Sequence, residues 1–455
     1  MASALSRAGH NVHLLTMQLT NAYNGVEPKR EEIRENIAIT RLDVEEFFNP
    51  NVISNSIERY APDALVGATV YGSCTLAATN PKLPFWADQF GHFMAEAQAL
   101  AHHQQNNWPL AHFWRHLEPV LHTADKISTV SRRQRYATIG ELGTVGRLNA
   151  ETAQYEFTAV IPCATMPVSA ETKPTLRPNT VPEDAFVVFW SGSYNVWSDV
   201  DTLFDGLQVA MESNPRIHFV STGGGISGHD IRTYAHFKER IASSPFHARF
   251  HLQGWVDTPL VASFQAEADL GVLTEHVMYE GRLGHKNRVV QWMANGLPVA
   301  YNAIGDLGEE LRQHETGLVF EVNDGPGLAQ QILWAADHPE DLDRLAQRAQ
   351  AYAQKHHSID ATTSDLVAWA NAPQKAPDAE LKRAIRSPAD FAPQTASAPT
   401  LVPTSGNGIS PLAIAEQRAD RAEQQLDDIH SSKMWHFWMA SITFRQRLRS
   451  LIGRS

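Results

Sequence analysis

Cysteine is almost missing: Cys74 and Cys163 are the two in 455 residues. Two thiols make neither a disulfide framework nor a Cys-rich zinc site, and they suit a reducing compartment. Basic charge is also in short supply. Lys and Arg number 38 against 50 Asp and Glu, a formal net charge of -12. Proteins that coat nucleic acid show the opposite balance, so no nucleic-acid partner is expected. No apolar run approaches the roughly 18 residues of a membrane span. Met1–Ala8 lacks the apolar stretch of a signal peptide, so the expected location is the cytoplasm. At roughly 100–200 residues per domain, the length implies two or three domains.

What the chain does contain is an alternation of short apolar strands with helix-length segments. Asn11–Thr16, Ile37–Thr40, Ala64–Gly67 and Lys126–Val130 read as strands of a first domain, residues 1–168. Ala2–Ala8 ahead of them reads as a helix ending at Gly9. A helix feeding a strand is half of a βαβ unit, and its own first strand is missing; a start upstream of Met1 is the expectation. Pro, Thr and Asn mark a linker over 169–183. A second alternation fills 184–370, with strands expected at Phe186–Trp190, Ile217–Val220, Ala248–Leu252, Leu270–Leu273 and Pro298–Tyr301. The fold class is therefore α/β, with two Rossmann-like domains facing each other across a cleft. Residues 371–411 are rich in Pro, Ala, Ser and Thr and read as a disordered tether. Residues 412–455 read as a helical tail in which Trp435, Phe437, Trp438 and Phe444 mix with Arg445, Arg447 and Arg449. Such a tail suits a membrane interface, or self-association as the alternative.

The densest chemistry lies in Glu280-Gly281-Arg282-Leu283-Gly284-His285-Lys286-Asn287-Arg288. A strand precedes it, and an amphipathic helix from about Asn287 to Ala294 follows. Glycines, three cations and one carboxylate thus gather at a helix N-terminus, where free N–H groups and the helix dipole favour a phosphate. Arg282, Lys286 and Arg288 would add charge-assisted hydrogen bonds, and Glu280 would accept from sugar hydroxyls. A solvated helix start is the competing reading.

This segment resembles the donor-binding signature of GT-B glycosyltransferases, in particular the retaining family-4 group (glycosyl transferases group 1). Ala124–Ser131, Val160–Pro162, Phe189–Tyr194, Val220–Gly225, Leu252–Val256 and Ala268–Val272 resemble the family's remaining pieces in the expected order. The resemblance covers roughly residues 1–368. It implies transfer of a sugar from a nucleotide-sugar donor to a hydroxyl of a glycan or lipid-linked acceptor, with retention, in surface polysaccharide synthesis. It places the donor on Gly192, Arg282, Leu283, Gly284, Lys286, Asn287, Arg288 and Gln291, with Glu280 catalytic. Two departures stand out. The family's second glutamate is here Gln291, and Glu280 lies eleven positions upstream instead of eight. A nucleotide-sugar epimerase of the same fold and a non-catalytic glycan- or nucleotide-binding module stay open as alternatives.

In the first domain, Leu83–His92 presents Asp88, Gly91 and His92 after an apolar strand end. Asp88 and His92 are candidates for orienting the acceptor or handling its proton; helix capping by Asp88 is the competing role. His102-His103 and His356-His357 have no carboxylate at ligand spacing, so no metal and no cofactor are expected.

Overall fold

The computed structural model describes residues 1–18, 29–165, 172–226 and 229–379. The tail from 412 and most of the expected tether lie outside these residues.

In the first domain, β1 (Val12–Met17), β2 (Glu31–Arg34) and β3 (Ile37–Leu42) form one sheet, ordered β1-β3-β2. A second sheet holds β4 (Leu65–Ala68), β5 (Phe85–Gln89), β6 (Lys126–Thr129) and β7 (Thr158–Val160), all parallel and in that order. The sequence leads one to expect a single doubly wound sheet. The structure instead has two ladders with no strand pairing between β1 and β4. Side chains join them: Val12 of β1 and Val66 of β4 both pack on a cluster containing Leu5 and Trp86.

The second domain has one sheet: β8 (Phe186–Trp190), β9 (Ile217–Thr222), β10 (Phe250–Gly254), β11 (Leu270–Leu273), β12 (Val299–Asn302) and β13 (Leu318–Phe320). It is parallel throughout, in the order β10-β9-β8-β11-β12-β13. β8, β9, β11 and β12 are buried along their whole length. This explains why they read as continuous apolar runs rather than as alternating ones. The strand order reverses between β8 and β11, and such a reversal opens a ligand crevice at the C-terminal strand ends.

Two stretches are more ordered than their composition suggests. The linker packs on the second domain from residue 172 onward, with Leu176 and Val181 buried and Arg177 paired to Asp269 at 2.7 Å. The expected tether begins later than 371. After the Ser364–Asn371 helix the chain returns to the first domain, where Ala376 joins the core and Asp378 is fully buried. Asp378 takes both ends of the Arg147 guanidinium, at 2.6 and 3.0 Å, and Arg147 is itself 1% exposed. A composition-based reading misses this because a buried ion pair, a hydrogen bond from the Ala376 N–H to Asp125 and one apolar contact, not a hydrophobic period, hold the segment.

Removing one partner of a buried pair leaves the other charge uncompensated. Asp378→Asn is therefore expected to destabilise the chain by about 3–5 kcal/mol, read from the denaturant midpoint. Replacing both partners, Arg147→Met with Asp378→Leu, should recover much of that loss.

Candidate nucleotide-sugar site

The crevice predicted by the strand order is lined by the loops after β8, β9 and β11 and by the Asn287–Ala294 helix. Trp292 on that helix lies over Gly271 of β11, where any side chain would sit 2.7 Å from its ring. The helix is thereby seated on the sheet with its N-terminus at the crevice. Its first residue follows Lys286, whose side chain makes no capping bond, so the first-turn N–H groups keep no side-chain partner from the cap.

Arg288 is the cation closest to the glycine loop. Its Nη2 donates to the Ser193 carbonyl at 3.1 Å, its guanidinium lies 4.8 Å from the Trp190 ring centroid, and it packs against Gly192. Its Nη1 is buried and has no hydrogen-bond partner. Burial pulls its pKa down, with the Glu275 charge opposing that shift, but a guanidinium keeps its proton in any protein environment. A half-buried cation with an unused donor beside a helix N-terminus is chemistry that suits an anion. Gly192 has φ +95° and Gly223 φ +90°, and a Cβ on Gly223 would strike the Gly192 carbonyl at 2.2 Å. The β8 and β9 loops can meet only as glycine on glycine, and this keeps the crevice floor free of side chains.

Lys286, expected to hold donor phosphates, faces carboxylates in the structure. Its ammonium is held by Glu275 at 2.8 Å and by both Glu280 oxygens at 3.0 and 3.1 Å. Burial works against the charge, yet these carboxylates outweigh it and hold the Lys286 pKa above the ordinary lysine value. Its donors are directed at carboxylates. Sequence reasoning counted one carboxylate here and missed Glu275, which also accepts from the Tyr301 hydroxyl at 2.8 Å. Glu275 is 1% exposed at the C-terminal end of β11, a position where a buried acid is itself the signal. Glu280 is pushed above the usual carboxylate range by burial, with Lys286 pulling the other way.

The other expected donor residues are spread along the same segment. Arg282 is exposed and lies 5.9 Å from the Tyr279 ring centroid. The Leu283 carbonyl accepts from Ser131 of the first domain at 2.5 Å. Gly284 turns the chain tightly against the Glu280 carbonyl, Asn287 opens the helix, and Gln291 donates to Asn295 at 3.2 Å.

Across the cleft, Asp88 does not cap a helix. It accepts from Ser128 at 2.5 Å, and Ser128 in turn accepts from the Trp86 indole at 2.9 Å. Burial raises its pKa to about 6. His92 is the residue that caps: its Nδ1 accepts from the Ala95 N–H at 3.2 Å, and its Nε2 lies 3.2 Å from Glu141. Both ring nitrogens are thus engaged in placing the Phe93–Gln104 helix. That helix carries Glu96, which sequence reasoning missed. Burial, and secondarily the Glu280 charge, raises the Glu96 pKa to about 7. The Cys163 thiol lies within electrostatic reach of Lys286, Asp88 and Glu280, so the groups from both domains share one neighbourhood.

The domains are held together beside this site. The Asp306 carboxylate accepts from the Arg132 N–H at 2.7 Å, at the N-terminus of the Arg132–Thr144 helix, and Arg133 pairs with Asp306 and Glu309. No helix among the described residues is long and apolar enough to cross a membrane.

Residues 185–338 match the family model described as Glycosyl transferases group 1. The fold is shared with solved structures at low identity. Sucrose-phosphate synthase from Thermosynechococcus elongatus is 15% identical, with a TM-score of 0.60 over 80% of this chain and 89% of that one. Anabaena HepE in complex with UDP-glucose is 17% identical, with a TM-score of 0.57 over 73% and 85%. An E. coli trehalose-6-phosphate protein bound with UDP-2-fluoro glucose is 12% identical, with a TM-score of 0.58 over 82% and 95%. The chain has the GT-B fold, and its second domain is similar to the glycosyl transferases group 1 family. No curated protein matches it.

In this GT-B protein, Asp88 keeps its proton to about pH 6, whereas an unfolded aspartate releases it near 3.8. The folded state thus binds more protons between these values, and stability should fall as pH rises from about 4 to 6 and level off above. Asp88→Asn is expected to remove this contribution, a total change on the order of 3 kcal/mol across that window. Denaturant unfolding across pH 4–7 measures it.

Proposed function

We propose that the protein transfers a sugar from a nucleotide-sugar donor to a hydroxyl of a glycan or lipid-linked acceptor, with retention of anomeric configuration. The observation that carries this reading is Arg288, the second residue of the Asn287–Ala294 helix, whose guanidinium meets Gly192 through Nη2 and whose Nη1 has no hydrogen-bond partner. The helix N-terminus and Arg288 hold the donor diphosphate and stabilise the charge it gains as it leaves, which is electrostatic catalysis. The bond from the anomeric carbon to the phosphate oxygen breaks, the acceptor oxygen bonds to that carbon, and the acceptor proton leaves to the departing diphosphate. Glu280, held by Lys286 near Glu96 of the facing domain, contacts the sugar. Asp88 and His92 act from the acceptor side, Asp88 on the acceptor and His92 by positioning the helix that bears Glu96. This transfer draws its positive charge from the protein and needs no metal at the diphosphate. A role in surface polysaccharide synthesis at the inner face of the membrane is supported by the basic, aromatic tail.

UDP-glucose, the ligand in the HepE structure, is the first donor to test. Arg288→Met is expected to weaken nucleoside diphosphate binding by about 10- to 150-fold, the loss of a charged hydrogen bond worth roughly 1.5–3 kcal/mol. Calorimetry reads the change, and unchanged affinity in a folded variant would remove Arg288 from the site. Glu280→Gln should instead leave nucleoside diphosphate binding nearly intact and lower turnover with donor and acceptor. Release of free or rearranged sugar without any acceptor dependence would favour hydrolysis or epimerisation.

A further inference from the structure

We infer that the chain carries a transition-metal site, suited to Zn²⁺, formed by His285, Glu310 and His357 at the crossing between the two domains. The three side chains come from separate places: the turn before the Asn287–Ala294 helix, the Gly305–Gln313 helix, and the residue after the Pro339–His356 helix. One potential ligand atom from each lies within 4.8 Å of the other two. From spacing alone His356-His357 has no acid partner; the fold supplies Glu310, 3.5 Å from His357 Nε2.

The chemistry of each group fits. His357 is 2% exposed, and its Nδ1 lies 3.2 Å from the Cys163 carbonyl. A carbonyl can only accept, so Nδ1 carries a proton and Nε2 is the nitrogen placed to bind a metal. A backbone carbonyl behind the second ring nitrogen is the usual support of a metal-bound histidine. His285 is 9% exposed, and its buried Nε2 has no hydrogen-bond partner; neither has that of His357. The His285 Nε2 left without a partner is costly in a dry interior, and a cation between it and the His357–Glu310 pair would satisfy it. Two nitrogens and one oxygen select borderline ions such as Zn²⁺ over Mg²⁺ or Ca²⁺. A cavity of about 720 Å³, lined in part by His285, Glu310, Arg132 and Asp306, leaves room for water at a fourth position.

Two adjustments accompany loading. Ligand atoms must close to about 3.4 Å from one another, as tetrahedral bonds near 2.0–2.1 Å require. The His285 proton must move from Nε2 to Nδ1, which gives up the contact with the Lys286 N–H at 3.1 Å.

The position gives the site its consequence. The chain passes from the first domain to the second through Cys163 and Thr165, and it passes back through His357 and Ser358. The Thr165 N–H donates to the His357 carbonyl, and Thr165 bridges Ser358. His285 is the neighbour of Lys286, which holds Glu275 and Glu280. A metal here would tie both crossing strands to the turn that carries the donor-site charge, and would fix the domain closure without touching the donor.

The test is Zn²⁺ binding to the full chain after chelator treatment, by competition with a chromophoric chelator, with Co²⁺ as a spectroscopic substitute. One Zn²⁺ per chain, a raised melting temperature, and the intense visible absorption of tetrahedral Co²⁺ are expected. Glu310→Gln, close to isosteric, should weaken binding by at least about 10–100-fold, and His285→Gln likewise. His112→Ala, on a separate helix, should not change it. Absence of stoichiometric binding would overturn the assignment. So would binding that survives both Glu310→Gln and His285→Gln, since it would then belong to other histidines. If His285→Gln fails to fold, Glu310→Gln alone decides.

Discussion

The seating of the Asn287–Ala294 helix on Gly271 is the constraint from which the rest of the site follows. Trp292 fits there because position 271 has no side chain, and this contact aims the helix N-terminus at the strand-order reversal between β8 and β11. Arg288 then reaches Gly192, and Lys286 falls back onto Glu275 and Glu280. The position of Arg288 against the glycine loop and the acid cluster around Lys286 are two consequences of one helix placement.

The division of labour between Arg288 and Lys286 follows from their chemistry. A guanidinium keeps its charge when buried and uses its donors in a fixed plane, so one face can lie on Trp190 while Nη1 stays available. An ammonium is a compact charge, and Lys286, fully buried, is stable only with anions around it. Glu275 and Glu280 are those anions. Burial is what raises Glu280 above its ordinary range, with Lys286 opposing the shift and Glu275 adding to it.

Much of this was legible in the sequence, for a physical reason. Phe186–Trp190 and Leu270–Leu273 were expected with the bounds the structure has, because strands buried on both faces are unbroken apolar runs. The helix from Asn287 was expected from its apolar stripe and from Gly296 beyond it, which adopts φ +79°. What escaped depends on contacts between distant residues. Glu275 gains its role only when Lys286 folds over it, Asp378 only when Arg147 lies beneath it, and Glu310 only when His357 arrives beside it. The split of the first sheet escaped for a related reason: strand pairing is a tertiary fact, and β1 and β4 have sound strand patterns without pairing to each other.

The central claim is that the diphosphate of a nucleotide sugar sits between the glycine loop after β8 and the N-terminus of the Asn287–Ala294 helix. A crystal structure with bound nucleoside diphosphate measures this most directly. The account predicts phosphate oxygens within hydrogen-bonding distance of Arg288 Nη1 and the first N–H groups of that helix. Phosphates bound elsewhere, for instance beside Lys126, Arg132 and Arg135 in the cavity behind the cleft, would contradict it.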